Sequence, residues 1–403
     1  MDVETFVRLL EPAGQALLAE VHARTGVESD LALGTRLRRE HDVALVAAAV
    51  SQNHLRGLAR AKFAEGAAAM YATHDALQQA TRGRVAAHRA KRLVAAGVSS
   101  VLDLGCGIGG DLLACARAGL RVTGVEADPV RAAIARANLA AAGLEGEVLT
   151  ADAVTEDTGG HDAVFCDPAR RDGRGRVFDP DTWSPPWGVV AALLRGAAVV
   201  KTAPGIPHSL VPSGVEAEFV SDGGDLVEAA LWGGPLASTA RRASVLPGDE
   251  QLSDTDEPAV AATGPVAAYL YEPDDAVIRA GLVAAFAHRI GGHLLDPHIA
   301  YVGAGELVPT SLARAYVVRE RLPFREKQLK AALRERDVGT LTIKKRGVDV
   351  VPDVLRRRLR MSGSVPATLV VTRVGGTGCV LLVEPVPPFH AEIRVPGHDA
   401  PAW

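Results

Sequence analysis

The sequence predicts an α/β protein, with a doubly wound parallel sheet at its centre, a helical N-terminal domain before it and a compact α+β module after it. Three observations carry this. From Ser99 onward, short and continuously apolar runs alternate with helical stretches, the pattern of a parallel sheet covered on both faces. Residues 1–70 repeat their apolar positions at helical spacing, and 324–384 reads helix, strand, helix, strand, strand.

Residues 1–70 are rich in Ala, Leu and Arg and nearly free of Pro after Pro12. Phe6, Leu9 and Leu10, then Leu17, Leu18 and Val21, mark the buried stripe of a helical domain. A further helix is predicted over 82–97, with Thr81 as its N-cap and Gly97 as its stop. Strand and helix then alternate through SVLDLG, a helix over 110–118, RVTGVEA, PVRAAIARANLAAAG, EVLTADA and HDAVFCDP. Further strands are expected at 197–203, 215–220 and 225–232. Residues 247–258 hold five acids and no base among turn formers, which predicts a flexible loop or linker near the end of the α/β domain. The resulting division is 1–70, 71–262, a connecting α+β region over 263–318, and 319–393.

Composition narrows the function classes. The chain has 403 residues, 48% hydrophobic and 23% charged, which excludes disordered and fibrous classes. Its four cysteines form no CxxC pair and have no His at ligand spacing, so neither a disulfide framework nor a metal site is expected. A reducing, cytoplasmic compartment follows. The start MDVETF lacks a basic leader and no apolar run reaches the roughly 18 residues of a membrane helix, so no membrane partner is expected. The net charge of -4 excludes a globally basic nucleic-acid binder. That charge is uneven, because Arg319 to Arg360 holds fourteen Lys/Arg against six Asp/Glu. This window is either a cationic surface or a solvated helical face.

The strongest chemical signal is Asp103-Leu-Gly105-Cys-Gly107-Ile-Gly109-Gly110, directly after a strand and opening a helix. Glycines let the backbone turn sharply and approach a ligand, and a helix N-terminus presents free N–H groups to an anion. Glu126 closes the next strand, where an acid accepts both ribose hydroxyls of an adenosine ligand. The spacing is not that of the dinucleotide fingerprint. It resembles class I S-adenosylmethionine-dependent methyltransferases, which have a Rossmann-like fold. The resemblance implies S-adenosyl-L-methionine as cofactor, its methionine end received by Asp103, Gly105, Gly107 and Gly109. It implies Asp152 in LTADA at the adenine amine and Asp167 in VFCDPAR beside the transferable methyl.

Within that superfamily, Ala80 to Pro129 looks most like trimethylguanosine synthase, an RNA-cap guanine methyltransferase. The match runs through ATRGRVAAHRAKRL, which places Thr81 at the cofactor, and through the helix containing Asn138. Where that family has S-P-P-W, this chain reads Asp167-Pro168-Ala169-Arg170, which also resembles the D-P-P-R of uridine-C5 RNA methyltransferases. Those need a thiolate nucleophile, whereas Cys166 and Cys379 read as buried apolar thiols. A second S-P-P-W at Ser184–Trp187 is expected to start a helix over 187–195, with Trp183 or Trp187 either packed in the core or stacked on a base. Asp167 and Arg170 are the candidate catalytic residues, Asp167 as the hydrogen-bond acceptor for the methyl-accepting nitrogen. Arg170, Arg171, Arg174 and Arg176 form a cationic loop at the mouth, and Lys201 is expected to pair with a neighbouring carboxylate.

The C-terminal TLTIKKRGVDVVPDVLRRRLR resembles THUMP-like domains appended to bacterial methyltransferases, which implies RNA as partner. Arg171, Arg174, Lys344, Lys345, Arg346 and Arg357 are the expected RNA contacts, made mostly to phosphate. Aromatics are nearly absent after Phe324, which favours recognition by shape and charge. The expected function is S-adenosylmethionine-dependent methylation of a base in RNA. The alternatives are a protein or small-molecule substrate, or a non-catalytic cofactor-binding module.

Overall fold

The chain opens with α1 (Val3–Leu10), α2 (Pro12–Ala23), α3 (Asp30–Leu37) and α4 (Val43–Phe63) in a computed structural model that describes residues 1–170, 183–256 and 260–389. Asp2, Ser29 and Asp42 cap three of these helices, each side chain accepting from a backbone N–H, and Pro12 starts the fourth. Of the predicted stripe, Phe6, Leu9, Leu17, Leu18 and Val21 are buried, whereas Leu10, at the end of α1, is exposed. Then come α5 (His74–Gln79) and α6 (Gly83–Ala95). Thr81 does not cap α6 as expected: Arg82 occupies the N-cap, and Gly97 ends the segment at φ 80°.

The alternating region follows as β1 (Ser100–Leu104), α7 (Gly110–Arg117), β2 (Arg121–Glu126), α8 (Pro129–Ala141), β3 (Glu147–Thr150) and β4 (Ala163–Cys166). Two short strands, β5 (Ala169–Arg170) and β6 (Trp183–Ser184), precede α9 (Trp187–Leu193) and β7 (Ala198–Thr202). The strands order as β3-β2-β1-β4-β7, and every neighbouring pair is parallel. Strand succession runs outward from β1 to β3 and returns to β4. The carboxyl ends of β1 and β4 therefore flank the point where such sheets take ligands. The N-terminal helices share this sheet's core: Phe6, Leu17 and Val46 belong to one apolar cluster with Leu112, Ile134 and Val199.

Two compact units emerge among the described residues, Met1–Val215 with Ala230–Ser238, and Glu216–Ala229 with 239–389. The later elements are β8 (Glu216–Asp222), β9 (Asp225–Trp232), β10 (Arg241–Leu246), β11 (Glu250–Ser253), β12 (Tyr269–Pro273), α10 (Asp275–Arg279) and α11 (Val283–Arg289). After them come β13 (His293–Asp296), β14 (Ile299–Ala304), β15 (Ala313–Leu322), α12 (Glu326–Glu335), β16 (Val338–Lys345), α13 (Pro352–Leu359), β17 (Val365–Val374) and β18 (Thr377–Pro385). One sheet runs β13-β14-β12-β15-β18-β17-β16, so strands from 263–318 pair directly with those of the C-terminal module.

The predicted linker over 247–258 is corrected in part. Glu250–Ser253 pairs antiparallel with β10, and the acids serve as hydrogen-bond acceptors instead of repelling one another. Glu250 Oε2 accepts from Thr310 Oγ1 at 2.8 Å and from Ser311 N at 2.7 Å, while Asp256 Oδ2 accepts from Ser253 N at 2.7 Å. Residues 257–259 lie outside the described residues.

Candidate active site

From β1 the chain turns through Gly105, Gly107 and Gly109, at φ 83°, 58° and 83°, into α7. These are left-handed values that glycine adopts without steric cost. Gly105 N and Cys106 N both donate to Val125 O, at 2.8 and 3.0 Å, which pins the loop to β2. Cys106 fits beneath it because Gly124 leaves room, since a Cβ there would lie 2.8 Å from Cys106 Sγ. A Cβ on Gly107 would meet nothing within 4 Å, so the loop faces open space.

Asp103 stands at the end of β1, only 2% exposed, and neither carboxylate oxygen has a hydrogen-bond partner among the described residues. Burial raises its pKa well above the carboxylate range, the charges of Asp111 and Asp167 add to this, and Arg89 opposes it. Such a group calls for a cationic ligand. Glu126 braces the loop, its Oε2 accepting from Gly107 N at 3.0 Å and its Oε1 from Asp128 N at 2.9 Å. Asp152 is exposed after β3 and accepts from Val154 N at 2.9 Å. Thr81 is buried, and its hydroxyl has no partner among the described residues.

The strap carrying Thr81 is held from two sides. Gln52 donates to Ala72 O at 2.7 Å and accepts from Ala72 N at 3.0 Å. Asn138 of α8 donates to Tyr71 O at 3.0 Å and to Ile108 O in the glycine loop at 2.8 Å. Lys62 then donates to Gln78 O at 2.5 Å and Ala80 O at 2.7 Å. Asp167 follows β4, and its backbone oxygen lies 3.7 Å from where a Cβ on Gly105 would stand. Lys201 on β7 donates to Asp167 Oδ2 at 2.6 Å, the neighbouring-carboxylate pairing expected of it.

Two relatives from Mycobacterium tuberculosis, strains CDC 1551 / Oshkosh and ATCC 25618 / H37Rv, are described as uncharacterized S-adenosylmethionine-dependent methyltransferases. Each is 42% identical over 312 residues, covering 75% of this chain and 84% of its own. The chain belongs to the S-adenosylmethionine-dependent methyltransferases. Residues 101–169 of this methyltransferase match the methyltransferase domain family, 313–385 the THUMP domain-like family and 2–59 a domain of unknown function. A crystal structure from Porphyromonas gingivalis W83, of a protein named as a methyltransferase, shares the fold. It is 21% identical with a TM-score of 0.72, and the match covers 85% of this chain and 91% of that one.

The cofactor of the methyltransferase is S-adenosylmethionine, and the orphaned Asp103 carboxylate suits its α-amino cation. Cys166 is fully buried in β4 and Cys379 nearly so, and burial pushes both thiols up, which removes them as nucleophiles. Trp183 is 4% exposed and packs edge-on against Trp187, centroids 5.5 Å apart, as core packing requires. Trp187 is half-buried and begins α9 after Pro186, as the tetrapeptide predicts. The β5–β6 pairing sets Arg170 opposite Trp183. Arg171, Arg174 and Arg176 lie outside the described residues.

The basic residues of the C-terminal module divide between two faces. On β16, Leu341 and Ile343 enter the core with Leu333 and Leu359 of the helices, and Lys345 is exposed. A cleft of about 480 Å³ lies beside Gly339 and Thr340 and is lined by Arg356, Arg357 and Arg360. Lys344 and Arg346 instead line a separate cavity of about 680 Å³ with Glu272, Arg314 and Tyr316. There Lys344 donates to Glu272 Oε2 at 2.6 Å. Sequence reasoning missed Lys62 altogether. The signal for Lys201 was a lone cation in the apolar run AAVVKTA.

Proposed function

We propose that this methyltransferase acts on RNA. The observation that carries the reading is the THUMP-like match over 313–385, coinciding with the cleft where Arg356, Arg357 and Arg360 stand together. Guanidinium groups so placed suit a phosphate backbone, the largest contribution to non-specific affinity. Lys345 and Arg357 are exposed and belong to this reading, while Lys344 is taken up by Glu272 and contributes less. The division at 1–70, 71–262, 263–318 and 319–393 is proposed as functional, with RNA capture assigned to the last segment and chemistry to the second. Four free cysteines fit a reducing, cytoplasmic setting. No helix among the described residues is long and apolar enough to cross a membrane.

Asp103 is assigned to the cofactor's amino group, the glycines at 105, 107 and 109 to its close backbone approach, and Glu126 to the ribose. Asp152 is assigned to the adenine edge and Thr81 to a hydrogen bond from its hydroxyl, which has no partner among the described residues. When bound, the cofactor supplies an electrophilic methyl on a sulfonium. What the chain must then do is exclude water and hold the acceptor in line. Asp167 at the end of β4, fixed by Lys201, orients the acceptor, and Arg170 binds the nucleotide that carries it. The sequence points to a base as that acceptor.

The test is to measure binding of the full chain to structured RNA by salt titration, with an Arg356/Arg357/Arg360 triple alanine variant beside it. A lower affinity and shallower salt slope in the variant support the reading. Equal curves favour a protein or small-molecule substrate.

A further inference from the structure

The main-chain carbonyl of Ile108, between Gly107 and Gly109, accepts from Nδ2 of Asn138 at 2.8 Å. Nδ2 also donates to Tyr71 O at 3.0 Å, and Oδ1 accepts from Tyr71 N at 2.8 Å. Only this orientation of the amide fits, because two carbonyls demand donors and one N–H demands an acceptor. Asn138 is 2% exposed and lies one helical turn after Ala135, whose Cβ stands 3.4 Å from where a Cβ on Gly109 would be. One face of α8 therefore holds the glycine loop, and one buried amide ties that loop to the strap at Tyr71. An apolar residue in its place would take the partner from three buried main-chain groups, a loss that an interior does not tolerate cheaply.

Tyr71 carries the connection onward. Its ring packs edge-on against Phe6 of α1, centroids 5.5 Å apart, and its hydroxyl donates to Gln15 Oε1 of α2 at 3.1 Å. The guanidinium of Arg56, on α4, lies 4.8 Å over the same ring, and its Nε donates to Met70 O at 3.0 Å. At the next residue of the strap, Gln52 of α4 pairs with both main-chain groups of Ala72, as Asn138 does with those of Tyr71. Two consecutive residues are thus gripped by two amides, one from α4 and one from α8. Phe6, Gln15, Gln52 and Arg56 all fall within 2–59, the match to a domain of unknown function.

We propose that Asn138 is a positioning residue of the cofactor site, and that the helices of residues 2–59 act through Tyr71 and Asn138 to hold the glycine loop in its ligand-binding form. The proposal rests on the assignment of S-adenosylmethionine to that loop. Gly105 N and Cys106 N are fixed by β2 and Gly107 N by Glu126, so the sheet side holds the loop by its donors. Asn138 holds it by an acceptor, from the side of the helices. Ile108 O and Gly109 N belong to one planar peptide group, whose N–H donates to Cys106 O at 2.8 Å, so the Asn138 bond fixes the plane at its other end. Glycines on both sides of Ile108 give the loop little stiffness of its own. A loop already held needs no ordering when ligand arrives, and that saving appears as affinity.

The experiment compares the full native chain with Asn138→Asp, Gln52→Glu and Gly107→Asp, with S-adenosylhomocysteine as the probe. Each amide-to-acid change keeps the shape and the oxygen that meets the strap N–H, and removes the donors. Calorimetry well below each melting temperature should show affinity roughly 10-fold or more lower in Asn138→Asp, which loses donors to both loop and strap. Gln52→Glu, which touches only the strap, should lose less. The rise in melting temperature at one fixed S-adenosylhomocysteine concentration should shrink in the same order. A residue that only stabilises the fold lowers the melting temperature and leaves affinity and this rise unchanged. Native affinity in Asn138→Asp therefore overturns the proposal, and native affinity in Gln52→Glu alone overturns the part assigned to the helices. Hydrogen exchange on the native chain covers a variant that does not fold: S-adenosylhomocysteine should slow exchange in α1 and α4 as well as over 105–109. Slowing confined to 105–109 overturns the coupling. Gly107→Asp separates the two readings. If it binds as the native chain does, the cofactor lies elsewhere and the proposal falls with that assignment. If it loses binding while the two amide variants bind normally, the assignment stands and the proposal alone fails.

Discussion

Lys201 Nζ lies 2.6 Å from Asp167 Oδ2, so the carboxylate that follows β4 is held by an ammonium from β7, the next strand of the sheet. The lysine side chain is 16% exposed and the aspartate 35%. A pair this open adds no more than about 1 kcal/mol to stability. Asp167→Asn keeps the shape and a carbonyl oxygen, so it should bind cofactor normally and melt within a few degrees of the native chain. Its transfer rate should fall roughly 10²-fold or more. Calorimetry, a thermal melt and a rate on one preparation check this. A fully active variant contradicts the assignment.

Gly107→Asp should abolish cofactor binding while the fold survives. A side chain there meets no protein atom within 4 Å, and Asp is among the residues that enter the left-handed region. Its carboxylate would therefore project into the space assigned to the cofactor's methionine end. Unaltered S-adenosylhomocysteine affinity by calorimetry would place the cofactor elsewhere. Glu126→Ala, which also frees Gly107 N, should cost about 1–3 kcal/mol of binding.

Asp103 predicts a pH-dependent stability. Its folded pKa is raised above its unfolded value, so the folded state binds more protons between the two and ligand-free stability falls as pH rises from about 4. Asp103→Asn removes this penalty. Its ligand-free melting temperature should exceed the native one at pH 8 by several degrees, at about 2–4 °C per kcal/mol, and the gap should close below about pH 4. Its cofactor affinity should drop. A native melting profile parallel to the variant's across this range would mean that Asp103 is not a penalised buried acid.

On the RNA side, Lys345→Ala and Arg357→Ala should each flatten the salt dependence of RNA binding by about one phosphate contact. Lys344→Ala should change it less, because its ammonium is engaged by Glu272. A larger slope change from Lys344 than from Arg357 would move the RNA surface to the other face of β16.

The parallel sheet was legible because β1, β2, β4 and β7 are buried almost throughout and read as unbroken apolar runs. The glycine loop was legible because three left-handed residues leave glycines at fixed spacing. Glu250–Ser253 was missed because its one acid, Glu250, is satisfied by Thr310 and Ser311, far away in sequence. Thr81 read as a cap from its type and position, yet its buried hydroxyl has no partner among the described residues. Lys62 was missed because a helical lysine ordinarily means only a solvated face. That Lys344 and Lys345 point to opposite faces follows from their adjacency in a strand, but that Glu272, far away in sequence, takes up Lys344 does not.

The central claim is that this methyltransferase transfers a methyl group to RNA with Asp167 at the acceptor. The most direct measurement incubates the purified chain with methyl-labelled S-adenosylmethionine and total RNA from cells lacking the gene, then follows label into RNA. Label should enter RNA with the native chain and fall roughly 10²-fold or more with Asp167→Asn. RNA that stays unlabelled while the chain binds cofactor, or equal labelling by the two proteins, would contradict it.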